Sequence, residues 1–211
     1  MNRVRNVVDY YVITNKLKNV IRKGWIDWKV NKERIESVAE HVYGVLQLAI
    51  AMYSEFEYDI DILKVIYMLS IHELEETIIG DLTQFDISKE EKEIIGHNAI
   101  EKILSPLLKG DDIKKLIYEF DERETKEALF AYHCDKLECD LQCKIYDEEN
   151  CVDLNDQSDN KTFYDDKVQE LFKTETSWSS MWLEHDRDKY IKDKNFESVL
   201  EYVKNNNIIK K

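Results

Sequence analysis

A chain of 211 residues with 43% apolar content is long enough to bury a core, and its length fits one domain. Its formal net charge of -14 repels phosphate backbones, and the basic stretch Arg22–Arg34 is too short to form a path for polymeric nucleic acid. Five glycines and one proline are too few to punctuate strands and tight turns, which predicts long helices and an all-α, compact helical bundle.

Val4, Val7, Val8, Tyr11, Val12, Leu17, Val20 and Ile21 keep helical spacing, and Gly24 marks a stop, giving a first helix. A connection with Trp25 and Trp28 leads to a second helix over Glu36–Tyr53, with Val38, Val45, Leu48 and Ala49 on one face. The run DIDILKVIYMLSIHELEETIIG reads as one helix closing on Gly80. A fourth helix is capped by Asp86 or Ser88 and runs to about Leu104, before a break at Ser105–Pro106, and a shorter helix covers Asp112–Phe120. Glu122–Tyr146 has no glycine or proline and reads as a long amphipathic helix. The polar stretch NCVDLNDQSDNK reads as a loop with room for mobility, and helices follow over Thr162–Phe172, Ser179–Lys192 and Phe196–Asn205, with a fraying NNNIIKK tail. The expected single domain spans 1–211, with a motif-bearing core over 22–146 and helices within 160–205 packed on it.

No apolar run approaches the ~18 residues of a membrane span, and the start shows no signal-peptide core, so a cytoplasmic protein with no membrane contact is expected. Cys134, Cys139, Cys143 and Cys151 include no C-x-x-C pair, which argues for reduced thiols instead of a zinc ribbon or redox motif.

Helical geometry puts chemistry inside this bundle. His41 falls three residues after Val38 and four before Val45, on the apolar stripe. His72 follows Met68 and Leu69 by one turn, and Asp135 shares a stripe with Ala128, Ala131, Tyr132 and Cys139. An uncompensated core carboxylate costs several kcal/mol, so the acids must be paired, neutralised or bound to metal. One inward histidine is ordinarily hydrogen-bonded in a core, and Asp135 could pair with Lys136. The coincidence of inward histidines and acids favours one divalent ion: manganese, cobalt, iron, nickel or zinc. The H-E-x-x-H pattern fails after His72-Glu73, the Glu-x-x-His pattern of di-iron bundles fails at all five histidines, and no P-loop or G-x-G-x-x-G is present.

The blocks Arg34-x-Glu36-Ser37-Val38-Ala39-Glu40-His41, His72-Glu73-x-x-Glu76 with Gly80-Asp81, and Asp135-Lys136-Leu137-Glu138 resemble the HD-domain metal-dependent phosphohydrolases, particularly the branch of bacterial 5'-deoxynucleotidases. The resemblance implies metal ligation by His41, His72, Glu73 and Asp135, and catalytic work by Glu76 and Asp81. It departs from the family at the doublet, His-Glu here against His-Asp, which moves the carboxylate out by about 1.5 Å. The resemblance also suggests Arg22, Lys23 and Trp25 as substrate contacts, with Arg34 on phosphate or bracing Glu36, and it implies a homodimer, although the sequence singles out no interface. The function implied is release of phosphate from a small nucleotide, a (deoxy)nucleoside 5'-monophosphate by family likeness. A phosphodiesterase, another phosphometabolite hydrolase and a non-catalytic metal- and nucleotide-binding regulatory module are the alternatives. His97, His133 and His185 are assigned structural roles.

Overall fold

The computed structural model describes residues 2–83 and 86–209. Among the described residues the regular structure is helical, and the only strand-like pairing is an isolated antiparallel bridge between Ile21 and Ser37. Tertiary contacts divide the chain into two compact units, Met1–Lys23 with Glu36–Tyr132, and Gly24–Ile35 with His133–Lys211.

In the first unit α1 (Arg3–Thr14) gives way to a 3-10 turn over Asn15–Asn19, so the expected first helix ends early; Gly24 then lies inside the short α2 (Lys23–Asp27), where a stop was expected. The stripe Val4, Val7, Val8, Tyr11 and Val12 faces solvent at 53–74% exposure, while Tyr10 and Ile13 pack inward. Asn6 donates its amide to the Pro106 carbonyl at 2.6 Å, which helps to fix this orientation.

Helix α3 (Val38–Glu55) packs on α4 (Ile62–Leu69), α4 on α7 (Gly110–Glu122), and α6 (Lys89–Leu104) on α1, on α7 and on the one-turn α5 (Glu76–Ile79). Ile71, Leu74, Ile100, Ile103, Leu104 and Ile117 form their shared core. Ser88, not Asp86, caps α6, in a capping box with Glu91. Gly110 opens α7 where a Cβ would sit 2.0 Å from the Leu104 carbonyl oxygen, so no side chain fits there. Arg123 ends α7 in the left-handed region at φ 57°, and the long α8 starts at Lys126, four residues later than expected.

The second unit holds most of α8 (Lys126–Glu148), α9 (Asp166–Leu171), α10 (Trp178–Asp186), a 3-10 turn over Arg187–Lys189, and α11 (Lys194–Asn205). Trp25, Trp28, Tyr146, Val168, Trp178 and Met181 lie in its core. The polar loop after α8 is tied down: the Gln157 amide donates to the Trp28 carbonyl at 3.2 Å, and Asn160 to Gln157 at 2.8 Å. The tail is also held, because the Glu148 carboxylate accepts the backbone N–H groups of Ile208 and Ile209. Lys210 and Lys211, the end of the tail expected to fray, lie outside the described residues.

Candidate metal centre

His41 owes its position to a cap. The Ser37 hydroxyl accepts from the Glu40 backbone N–H at 3.3 Å while the Glu40 carboxylate accepts from the Ser37 N–H at 2.9 Å, a capping box that starts α3. The cap is anchored in turn, because Val38 N–H donates to the Val20 carbonyl and Arg22 N–H to that of Glu36. His41 therefore leaves the first turn of α3 fully buried, at 0% exposure.

His72 and Glu73 lie in a break. The expected single helix is interrupted between α4 and α5, where the backbone N–H groups of Ile71, Leu74 and Glu76 each bond three residues back. His72 Nδ1 contacts the Leu69 carbonyl oxygen at 2.7 Å. A carbonyl can only accept, so Nδ1 carries a proton, and in the neutral ring this leaves the lone pair on Nε2, the tautomer that suits a metal ligand. The Nε2 atoms of His41 and His72 lie 3.8 and 3.7 Å from the same Glu73 Oε1, and the two rings have centroids 5.6 Å apart. Bonds of about 2.1 Å in tetrahedral geometry set ligand atoms ~3.4 Å apart, so two imidazoles and one carboxylate here fit a single divalent cation.

A ring of acids and cations surrounds the trio. Gly80, at φ 74°, turns the chain so that Asp81 Oδ2 accepts the Lys23 backbone N–H at 2.7 Å and lies 3.9 Å from Arg22 Nε. Arg22 also reaches Glu73 Oε1 at 3.5 Å, so the guanidinium bridges two acids of the site. The Lys23 ammonium pairs with Asp86 at 3.3 Å. Glu76 is buried, one of its oxygens makes no hydrogen bond among the described residues, and its pKa is pushed up to about 10, first by burial and then by Glu73 and Asp81. Glu75 is pushed up to about 8 by burial and then by Glu73.

The first unit thus brings together His41, His72, Glu73, Glu76, Asp81, Arg22 and Lys23. The other candidates belong to the second. Asp135 is a buried carboxylate on α8, 2.8 Å from the Lys136 ammonium. Trp25 is 7% exposed and packs edge-on against Tyr146 and Trp178, the ordinary packing that a tryptophan at this point can serve. Arg34 is exposed in the segment before α3. His97 pairs with Asp121 at 3.1 Å, and His185 with Asp186 at 2.7 Å. Two residues of the site were not singled out from the sequence. They are Glu75, in the acidic run after His72, and Lys92, on α6. Lys92 reaches back to Glu76 Oε1 at 3.4 Å and the Leu82 carbonyl at 2.8 Å. Only the i,i+3 spacing of Ser88, Glu91 and the helix they start hinted at where it would point.

Comparison with known proteins places the chain in a family. The HD domain model matches residues 14–176. The 5'-deoxynucleotidase HDDC2 of Dictyostelium discoideum is 34% identical over 152 residues, covering 68% of this chain and 79% of that one. Its namesake in Bos taurus is 31% identical over 149 residues, covering 68% and 69%. Among solved structures, a conserved hypothetical protein from Pyrococcus furiosus superposes with a TM-score of 0.62 at 25% identity, covering 93% of this chain and 98% of that one. A protein from Magnetospirillum magnetotacticum titled a predicted metal-dependent phosphohydrolase gives a TM-score of 0.57 at 25% identity, covering 67% and 71%.

Proposed function

The chain belongs to the HD-domain family, and from that premise we propose that it is a metal-dependent phosphohydrolase that releases phosphate from a small nucleotide, a (deoxy)nucleoside 5'-monophosphate. The observation that carries the reading is the trio His41, His72 and Glu73, with the His72 tautomer set by the Leu69 carbonyl. Its relatives named 5'-deoxynucleotidase support the substrate class. We assign Asp135 as the fourth ligand: it is a buried carboxylate, and it stands in the Asp135-Lys136-Leu137-Glu138 block that resembles the family. The family match runs through residues of both units, which supports their acting as one domain. Free thiols support a reducing, cytoplasmic setting, and among the described residues no helix is long and apolar enough to cross a membrane. The homodimer is carried forward on the family resemblance alone.

A divalent ion held by these ligands would polarise the phosphate ester and lower the pKa of a bound water. Glu76, whose raised pKa keeps it protonated at neutral pH, is equipped to give a proton to the departing ribose oxygen. Asp81, held by the Lys23 N–H, is placed to orient the attacking water. Arg22 and Lys23 supply the positive charge that phosphate needs, and Arg34 adds to it from the exposed segment before α3. Trp25 completes the proposed substrate set with its narrow exposed edge.

The test strips the protein of metal, reloads it in turn with manganese, cobalt, iron, nickel, zinc or magnesium, and measures phosphate release from nucleoside monophosphates, cyclic nucleotides and sugar phosphates. Release from monophosphates is expected. Release only from diesters or sugar phosphates would move the activity to another phosphohydrolase class. Tight nucleotide binding without release under any metal would favour the regulatory module that the His-Glu doublet permits.

A further inference from the structure

Three acids of the site each have a cationic or backbone partner, and the partners differ in origin. Glu73 and Asp81 are met by Arg22 and by the Lys23 N–H, from the segment that precedes α3. Glu76 is met from the other side, by Lys92 on α6. The Lys92 ammonium makes two contacts: one to Glu76 Oε1 at 3.4 Å, and one to the Leu82 carbonyl at 2.8 Å, one residue beyond Asp81. A single group therefore ties the acid on α5 to the turn that carries the next acid. It contacts one oxygen of Glu76 only, and Oε2 makes no hydrogen bond among the described residues.

Lys92 is directed there by its helix. The Ser88–Glu91 capping box fixes the start of α6, and Lys92 follows it directly. Gly96, one turn further on, lies beside the Glu75 side chain, where a Cβ would sit in ordinary van der Waals contact at 3.5 Å. A lysine stem two-thirds covered by protein loses rotamer freedom and hydration, a cost that a surface lysine avoids. Its head feels the negative charge of Glu73, Glu76, Asp81 and Glu75.

We propose that Lys92 is a positioning residue for the hydrolysis: by clamping Glu76 through one oxygen and the Asp81 turn through the Leu82 carbonyl, it holds the two acids in register and leaves the second Glu76 oxygen to face the substrate. The proposal rests on the phosphohydrolase reading above. It assigns Lys92 no contact with substrate.

The experiment compares wild type with Lys92→Met and Lys92→Arg, all metal-replete, on a deoxynucleoside monophosphate. Lys92→Met is expected to lower kcat by ~10- to 100-fold, part of the ~10²–10⁴ that a positioned acid or base contributes. KM and bound metal should stay within about threefold, because neither substrate nor metal ligands are touched. The alkaline limb of the kcat profile should move to higher pH, since a cation beside Glu76 has been removed, and Lys92→Arg should recover most of the rate. A role confined to packing would lower stability and leave that limb in place. If the Met variant does not fold, Lys92→Gln, which keeps a donor and drops the charge, makes the same comparison. A crystal structure of the variant gives an arm that needs no activity: a displaced Glu76 carboxylate and a shifted Gly80–Leu82 turn support the proposal. Wild-type kcat with an unmoved limb, or an unmoved carboxylate in that structure, overturns it. If wild type itself releases no phosphate, the hydrolase reading fails and the crystallographic arm alone decides for Lys92.

Discussion

Glu76 shows how one buried residue couples chemistry to stability. Its pKa rises from 4.5 to about 10, with burial the largest cause and Glu73 and Asp81 adding to it against Lys92 and Arg22. A carboxyl whose pKa is higher folded than unfolded binds more protons in the native state, so its favourable contribution is complete below about pH 4.5 and is lost as pH climbs toward about 10. Metal-free wild type should therefore lose unfolding free energy with rising pH across that window, and Glu76→Gln should show a flatter slope in urea titrations at several pH values. Equal slopes would remove Glu76 as the source. The same variant, metal-loaded, should lose ~10²–10⁴ in kcat at unchanged metal content, as expected for a lost proton donor. An unaltered rate would discard that role.

At the scale of elements, the site depends on where helices begin and stop. Ser37 starts α3 and places His41 on its first turn, while Ser177 caps α10 in the second unit with the same pair of bonds. Replacing either serine by alanine should cost about 1 kcal/mol in denaturant unfolding. Only Ser37→Ala should also weaken metal binding, measured by competition with a chelating dye; equal affinities would detach the cap from the metal centre. Periodicity in the sequence starts α3 at Glu36 and leaves its cap unnamed, although Ser-x-x-Glu before an apolar stripe is a local signal. The sequence hid the break after α4. His72 captures the Leu69 carbonyl with its ring, and nothing in the spacing of Met68, Leu69 and His72 distinguishes that bond from a continuing helix. The inverted face of α1 was hidden for a related reason: periodicity shows that a stripe exists, and tertiary contacts decide which side is covered.

For the molecule as a whole, the all-α class followed from the scarcity of glycine and proline, whereas the two-unit division did not, since two of its three boundaries fall within α2 and α8. Metal joins the site to global stability, because an ion that binds only the folded chain stabilises it by RT ln(1 + [L]/Kd), about 2.7 kcal/mol at a hundredfold excess over Kd. Thermal unfolding of wild type should rise steadily with added manganese or cobalt. His41→Ala and Asp135→Asn should flatten that dependence, and a retained response in Asp135→Asn would remove the fourth ligand from the proposal. The valine ridge on α1 sets a condition on how such molecules tolerate one another. With a net charge of -14 they repel at low ionic strength, and that repulsion opposes contact between the five outward apolar side chains of one copy and those of another. Concentrated salt shrinks the repulsion to a few ångströms and leaves the ridges in reach of each other, so dilute buffers, not protective brines, are the kinder medium for this protein.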